Sequence, residues 1–328
     1  MKSTIVRAGI LTTIQAGPRI GKRSIGVSVG GALDLFAFEV LNRLVGNDGF
    51  AAGLEVHSGT VRLIFPDRRV VAWGGGEYDV SASDELISPG HASVVREGEE
   101  LRLKGPRRGF RAWLAISGGF DVPEILGSQS TDIRSKFGGW EGRALRDDDS
   151  VPLKPNPAAA EDVLTRLGQR RTSSWAAPFE WMQPAESSPV LRIVPGSEWD
   201  SFSARAQQDL LRGEFTVAAE SDRMGVRLTG PKLLRARPEE LVSEAVVPGT
   251  LQVPGQGDPI LLLGDCQTIG GYAKIAHVIT VDLSRAAQLR PGDRVRFRRV
   301  SLDEAHAEFQ RRLQDLRIFR IGLGLTKR

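Results

Sequence analysis

Cysteine occurs once in the 328 residues, as Cys266, and a lone thiol excludes an internal disulfide framework. Histidine occurs four times, at His57, His91, His277 and His306, with no i,i+4 pair and no His/Cys cluster at ligand spacing, so no metal is expected. No apolar run approaches the ~20 residues that a membrane span needs. The stretch "MKSTIVRAGILTTIQAG" has one early Lys but neither an unbroken apolar core nor a small-residue cleavage site, and it reads as mature structure. With the single thiol, this predicts a reducing, cytoplasmic setting. An excess of one charge is missing too: 44 Lys and Arg face 40 Asp and Glu, and a scattered net charge of +4 is no nucleic-acid footprint. Only the end, "RRLQDLRIFRIGLGLTKR", is locally basic. There is no G-x-S-x-G elbow for a serine hydrolase. "GGALD" and "GGFDVP" lack the Lys-Ser/Thr of a phosphate loop, and "WGGGE" is a turn-like glycine run.

Glycine is abundant, with 37 copies, and many separate short β-branched runs: "TVRLIF", "RVVAW", "LRIV", "TLQV", "PILLL" and "HVITV". That pattern predicts a mainly β, β-rich α+β protein with many turns. Helices are few. In "ALDLFAFEVLNRLVGN", Leu33, Phe36, Ala37, Val40, Leu41 and Leu44 recur at helical spacing, and Gly46 is placed as the stop. In "GSEWDSFSARAQQDLLRG", Ser197 and Asp200 resemble a capping box, Trp199, Phe202, Ala206 and Leu210 form one stripe, and Gly213 ends it. A third helix starts after Ser301. The length predicts two domains. We place the first at 1–155, a connecting segment at 156–189 with a short helix near 160–168, the second domain at 190–300, and a helical basic tail at 301–328.

The densest chemistry lies in "LLLGDCQTIGGYAKIAHVI", residues 261–279. Two apolar strand-like runs flank Asp265, Gln267, Thr268, Tyr272 and Lys274, grouped about Gly270 and Gly271. Glycines permit close backbone approach or conformations that a side chain forbids. Amide, hydroxyl, phenol and ammonium together supply donors and a cation for an oxygen-rich ligand such as a carboxylate, lactam or ureido group. Asp222, Arg223, Glu244 and Gln252 lie upstream in "SDRMGVRL" and "SEAVVPGTLQVPGQGDP". A thiol beside Asp265 is disfavoured as a thiolate, so Cys266 reads as a small buried residue. The residues alone leave the run open between a ligand site and a polar turn.

The ordered stretches "GILTTIQ", "GVSVGGALD", "LNRLVGN", "LEVHSGTVRL", "RGFRAWLAISGGFDVPEILGSQST", "GGWEGRAL", "RIVPGSEWDSF", "SDRMGVRLTGP", "LVSEAVVPGTLQVPGQGDPILLLGDCQTIGGYAKIAHVI" and "LRPGDRVRF" resemble the family of 5-oxoprolinase C subunits. It is also known as the biotin-dependent carboxyltransferase, allophanate hydrolase subunit 2 or kinase-inhibitor antagonist family. The resemblance covers about residues 1–300 and implies two cyclophilin-like β-barrel domains. It implies a homologous B-type protein as partner and a third, A-type component, which together complete an ATP-dependent enzyme that opens 5-oxoproline to glutamate. This chain is then expected to bind no cofactor itself and to be inactive alone.

Two alternatives come with the family: transfer of a carboxyl group from carboxybiotin to urea or another amide, and a non-catalytic module that sequesters a kinase inhibitor. By position, the resemblance assigns catalytic roles to Lys274, Tyr272, Gln267 and Asp265. It assigns contacts to a small amide or carboxylate substrate to Arg223, Gln252, Thr268, Gly270, Gly271 and Glu244. The chain departs from the family pattern at Ala16, where an acid is usual, at Ser28 and Ala273, where Pro is usual, and at Gln129 and Cys266, where Arg is usual. Two absent arginines remove two fixed cations from any anion site.

Overall fold

The computed structural model describes residues 1–183, 188–237 and 240–324, and the chain is mostly sheet with few helices. It divides into two compact units that are not contiguous in sequence. The first takes Met1–Arg19, Gly30–Ala185 and Leu316–Arg328, and the second takes Ile20–Val29 and Glu186–Asp315. Two differences from the expected layout follow. Residues 20–29 are contributed to the second unit from within the N-terminal sequence. The segment expected as a connection instead builds the first unit, as helix Ala158–Leu167 and strand Thr172–Ala176, which pairs with His91–Val95. That strand escapes the pattern because it is a polar edge, "TSSWA", with an irregular register.

The first unit holds two six-stranded antiparallel sheets. In one, Lys2–Ala8, Gly59–Ile64 and Glu100–Gly105 alternate, so that Ile5, Val61, Leu63, Leu101 and Leu103 are buried and Arg102 points to solvent. In the other, Arg69–Gly75 and Ala112–Ile116 are buried along their whole length. Helix Leu35–Leu44 packs on both of these strands, so that neither face of the pair is left to water. Asp34 caps the helix by accepting from the Ala37 N–H at 2.9 Å, and Gly46 follows it at φ +80. One core cluster draws Ile14, Leu54, Trp73, Leu114 and Ile116 from one sheet and Ile5, Leu63 and Leu103 from the other.

An acid-sensitive ion pair ties the edge of this unit. Arg171 donates to Glu99 at 2.9 and 3.1 Å, and this hydrogen bonding is the largest influence holding the Glu99 carboxyl at about 2. Because the folded pKa is depressed, its contribution is complete above the unfolded value near pH 4.5 and is lost as the pH falls towards about 2. Glu99→Gln is expected to flatten the pH dependence of stability between those limits, as read by urea unfolding at a series of pH values.

The second unit is a closed seven-stranded barrel. Its order is Val190–Pro195, Ala273–Val278, Thr250–Val253, Ile260–Leu262, Gly225–Thr229, Phe215–Val217 and Arg294–Arg299, and the last strand returns to the first as the parallel pair. Leu191, Ile193, Leu251, Leu261, Ile275, Val295 and Phe297 are buried, and Phe215 meets Phe297 edge to face at 5.7 Å. Ser203, rather than Ser197, caps the helix in this unit: Ala206 N–H donates to its hydroxyl at 3.1 Å, and the helix runs Ala204–Arg212. Residues Trp199–Ser201 form a 3-10 turn ahead of it, so Trp199 and Phe202 reach the core from outside the helix. The last helix, Leu302–Gly322, starts behind Ser301, whose hydroxyl accepts from the Glu304 N–H. Residues 325–328 of the expected tail lie outside the described residues. No described helix is long and apolar enough to cross a membrane.

Candidate functional site

The site lies on the barrel wall where Thr250–Val253 pairs with Ala273–Val278. Gln252 faces Lys274 in this ladder, and the register slips between Leu251 and Gln252. The loop "PGSE" crosses over the irregular stretch: Gly196 N–H donates to Ile275 O at 2.9 Å, and a Cβ on Gly196 would stand 2.1 Å from Lys274 O. Only glycine fits there. The crossing delivers Glu198, whose Oε2 accepts from the Lys274 backbone N–H at 2.7 Å and lies 3.5 Å from Nζ.

Lys274 Nζ donates to Glu244 Oε2 at 2.7 Å. Burial is the strongest single influence on this ammonium and opposes its charge, but Glu244 and Glu198 together outweigh it and hold the Lys274 pKa above the ordinary lysine value. Burial likewise pushes the Glu198 carboxyl up. Hydrogen bonds from Ser197 and the Lys274 N–H, with the Lys274 charge, more than reverse that and leave it below the usual range. The result is a fixed cation on the barrel wall.

Beside it, Gln267 Nε2 donates to Gln252 Oε1 at 3.2 Å, and Gln252 Nε2 donates to Tyr272 O at 3.4 Å. Gly270 pairs with Glu244 in a two-stranded ladder of its own, Glu244–Ala245 with Ile269–Gly270. Neither Gly270 nor Gly271 has a left-handed φ, so their role is space. A Cβ on Gly270 would stand 2.8 Å from Gln252 Nε2, and one on Gly271 would stand 3.2 Å from Ser243 Oγ. Gly270→Ala is therefore expected to displace the buried Gln252 carboxamide, raising KM for the substrate by about tenfold while the unfolding midpoint moves little. Steady-state kinetics alongside thermal unfolding separates the two effects.

The remaining assigned residues are placed apart from this cluster or contribute only backbone. Arg223 turns its fork on Asp265, donating from Nε at 2.7 Å and from Nη2 at 3.0 Å. The Tyr272 side chain is half exposed and lines a cavity of about 460 Å³ with Phe202, Leu233, Leu241, Val253 and Pro254. Thr268 contributes its carbonyl, which accepts from Arg23 Nη2 at 3.2 Å. Cys266 is fully buried with Val246 and Leu262, and burial pushes its thiol up against the lowering influence of Arg23.

Two site residues lie outside the sequence-based assignment. Arg23 comes from the segment 20–29 and also donates to Val246 O, so a guanidinium does reach the loop at Cys266, from elsewhere in the chain. The other is Glu198, whose motif "VPGSEWD" reads locally as a helix cap. Its Pro-Gly turn was the available signal. Among the described residues no three His, Cys, Asp or Glu are grouped to hold a metal ion.

Residues 25–299 match the model of the family described as the carboxyltransferase domain, subdomain A and B, and the chain belongs to that family. It is 37% identical over 304 residues to the 5-oxoprolinase C subunit of Escherichia coli, covering 92% of each chain. It is 36% identical to the 5-oxoprolinase C subunit of Haemophilus influenzae, covering 89% of each. The crystal structure of Kluyveromyces lactis urea carboxylase superposes with a TM-score of 0.88 at 27% identity, over 100% of this chain and 30% of that one.

Proposed function

We propose that the chain is the C subunit of a 5-oxoprolinase-type hydrolase, opening 5-oxoproline or a related cyclic amide to its amino acid together with homologues of the B and A components. Identity to two 5-oxoprolinase C subunits along nearly their whole length supports this. The observation that carries the chemistry is the buried Lys274 ammonium beside the Gln252–Gln267 carboxamide pair. An ammonium held charged by two carboxylates stabilises negative charge growing on a lactam carbonyl oxygen. The carboxamides offer the donor and acceptor that orient the amide edge. Tyr272 lines the cavity described above and is assigned no step at Lys274. ATP is assigned to the partner proteins, because this chain carries no phosphate-loop motif, and the chain alone is expected to be inactive.

The likeness to a urea carboxylase favours a second reading, in which the same cation polarises the carbonyl of urea or another amide during carboxyl transfer from carboxybiotin. One experiment separates them. The chain is co-purified with its B and A homologues, and ATP hydrolysis is measured with 5-oxoproline or urea. Stimulation by 5-oxoproline supports the first reading, and stimulation by urea alone overturns it. A stable complex with no turnover on either overturns both in favour of a binding module.

A further inference from the structure

Lys274 is shared by two carboxylates of unlike character. Glu198 is anchored: its side chain is 16% exposed, its loop is seated over the irregular strand by Gly196, and its Oε2 also accepts from the Lys274 N–H. Glu244 is the reverse, with a side chain 61% exposed on a two-residue strand outside the barrel. Yet Glu244 is the nearer to Nζ, at 2.7 Å against 3.5 Å. A buried ammonium needs a close oxygen, and only Glu244 can leave at small cost, since water receives its carboxylate when it lets go.

We propose that the Glu244 carboxylate is a tethered surrogate for a substrate oxygen: it occupies Lys274 in the free chain and yields to an incoming carboxylate or amide carbonyl, while Glu198 keeps the ammonium in place. This rests on reading Lys274 as the oxygen-binding cation of the proposed function. A tethered competitor acts at high effective concentration, so it lowers apparent affinity and screens out weak oxygen ligands. Removing its charge exposes the cation.

The test uses the purified full-length chain and needs no turnover. Reductive methylation of Lys274 is followed by peptide mass spectrometry at fixed pH in the wild type, Glu244→Gln and Glu244→Ser, with acetate or 5-oxoproline as the protecting probe. Both variants are expected to label on the order of ten times faster, because losing the nearer carboxylate removes an influence that holds the amine protonated. Both are also expected to be protected at roughly tenfold lower probe concentration. Equal labelling, or protection at equal concentrations, overturns the proposal. If labelling behaves as expected but a Lys274→Ala complex turns over 5-oxoproline normally, the functional reading fails and the surrogate contact stands. In an active complex Glu244→Gln lowers KM for 5-oxoproline, and an unchanged or raised KM overturns the displacement.

Discussion

Lys274→Ala is expected to reduce kcat of the reconstituted complex by about 10² to 10³, the cost of removing one preorganised stabiliser of a developing oxyanion. The chain should still fold. Glu244 is exposed and returns to water, and Glu198 keeps the hydrogen bond from the backbone of residue 274. Lys274→Arg preserves charge but replaces a point donor with a planar fork on a wall already filled by two carboxylates, so it should recover little. The direction of the pKa shift adds a pH signature. A lysine whose folded pKa is raised keeps its stabilising contribution below the unfolded value and loses it only as the pH climbs through the folded one. Lys274 therefore stays charged across any neutral assay range, and an activity limb near neutrality belongs to another group. Turnover within threefold of wild type in a folded Lys274→Ala complex would remove the residue from the chemistry.

Asp265→Asn carries the second large effect, on stability. The Arg223 guanidinium is buried, and Asp265 takes two of its N–H donors. Removing the carboxylate from such a buried, doubly hydrogen-bonded pair costs about 3 to 5 kcal/mol. In urea this is a large fall in the unfolding midpoint. The double variant Arg223→Met with Asp265→Leu should recover most of the loss, because apolar side chains of similar volume pack where the ions stood. A single-variant loss below about 1 kcal/mol would show that the pair is not structural and would reopen Arg223 as a substrate clamp.

The elements most legible in the sequence were those whose signal is local. Helix Leu35–Leu44 announced itself by apolar spacing and a Gly after it; Leu33, which the spacing included, lies before the Asp34 cap and outside the helix. Most of the β-branched runs became strands for the same reason, since alternation with glycine punctuation is a property of short windows; "HVITV" did so only to Val278, and Thr280–Asp282 turns as a 3-10 segment. Strand Thr172–Ala176 lacked that signal, because an edge strand of polar residues is held by its neighbour and not by its own pattern. The helix behind "GSEWD" shows a contest between local signals. Ser197 and Ser203 both fit a cap, and the passage of Gly196 over Lys274–Ala276 left the first outside the helix.

For the candidate site, the residue types and their grouping about Gly270 were readable from residues 261–279, since they lie within one short stretch. Their partners were not. Glu198 meets Lys274 from 76 residues away, through a slip in strand register that no spacing rule encodes. Arg23 reaches Thr268 from 245 residues away, because a ten-residue piece of the N-terminal sequence is built into the other unit. Hydrophobic periodicity dictates which segments become strands and helices, because each segment carries its own burial preference. Which carboxylate faces the buried lysine, which guanidinium stands by the thiol, and whether Arg223 faces a ligand or Asp265 are settled only when the barrel closes, because long-range pairing sets those distances.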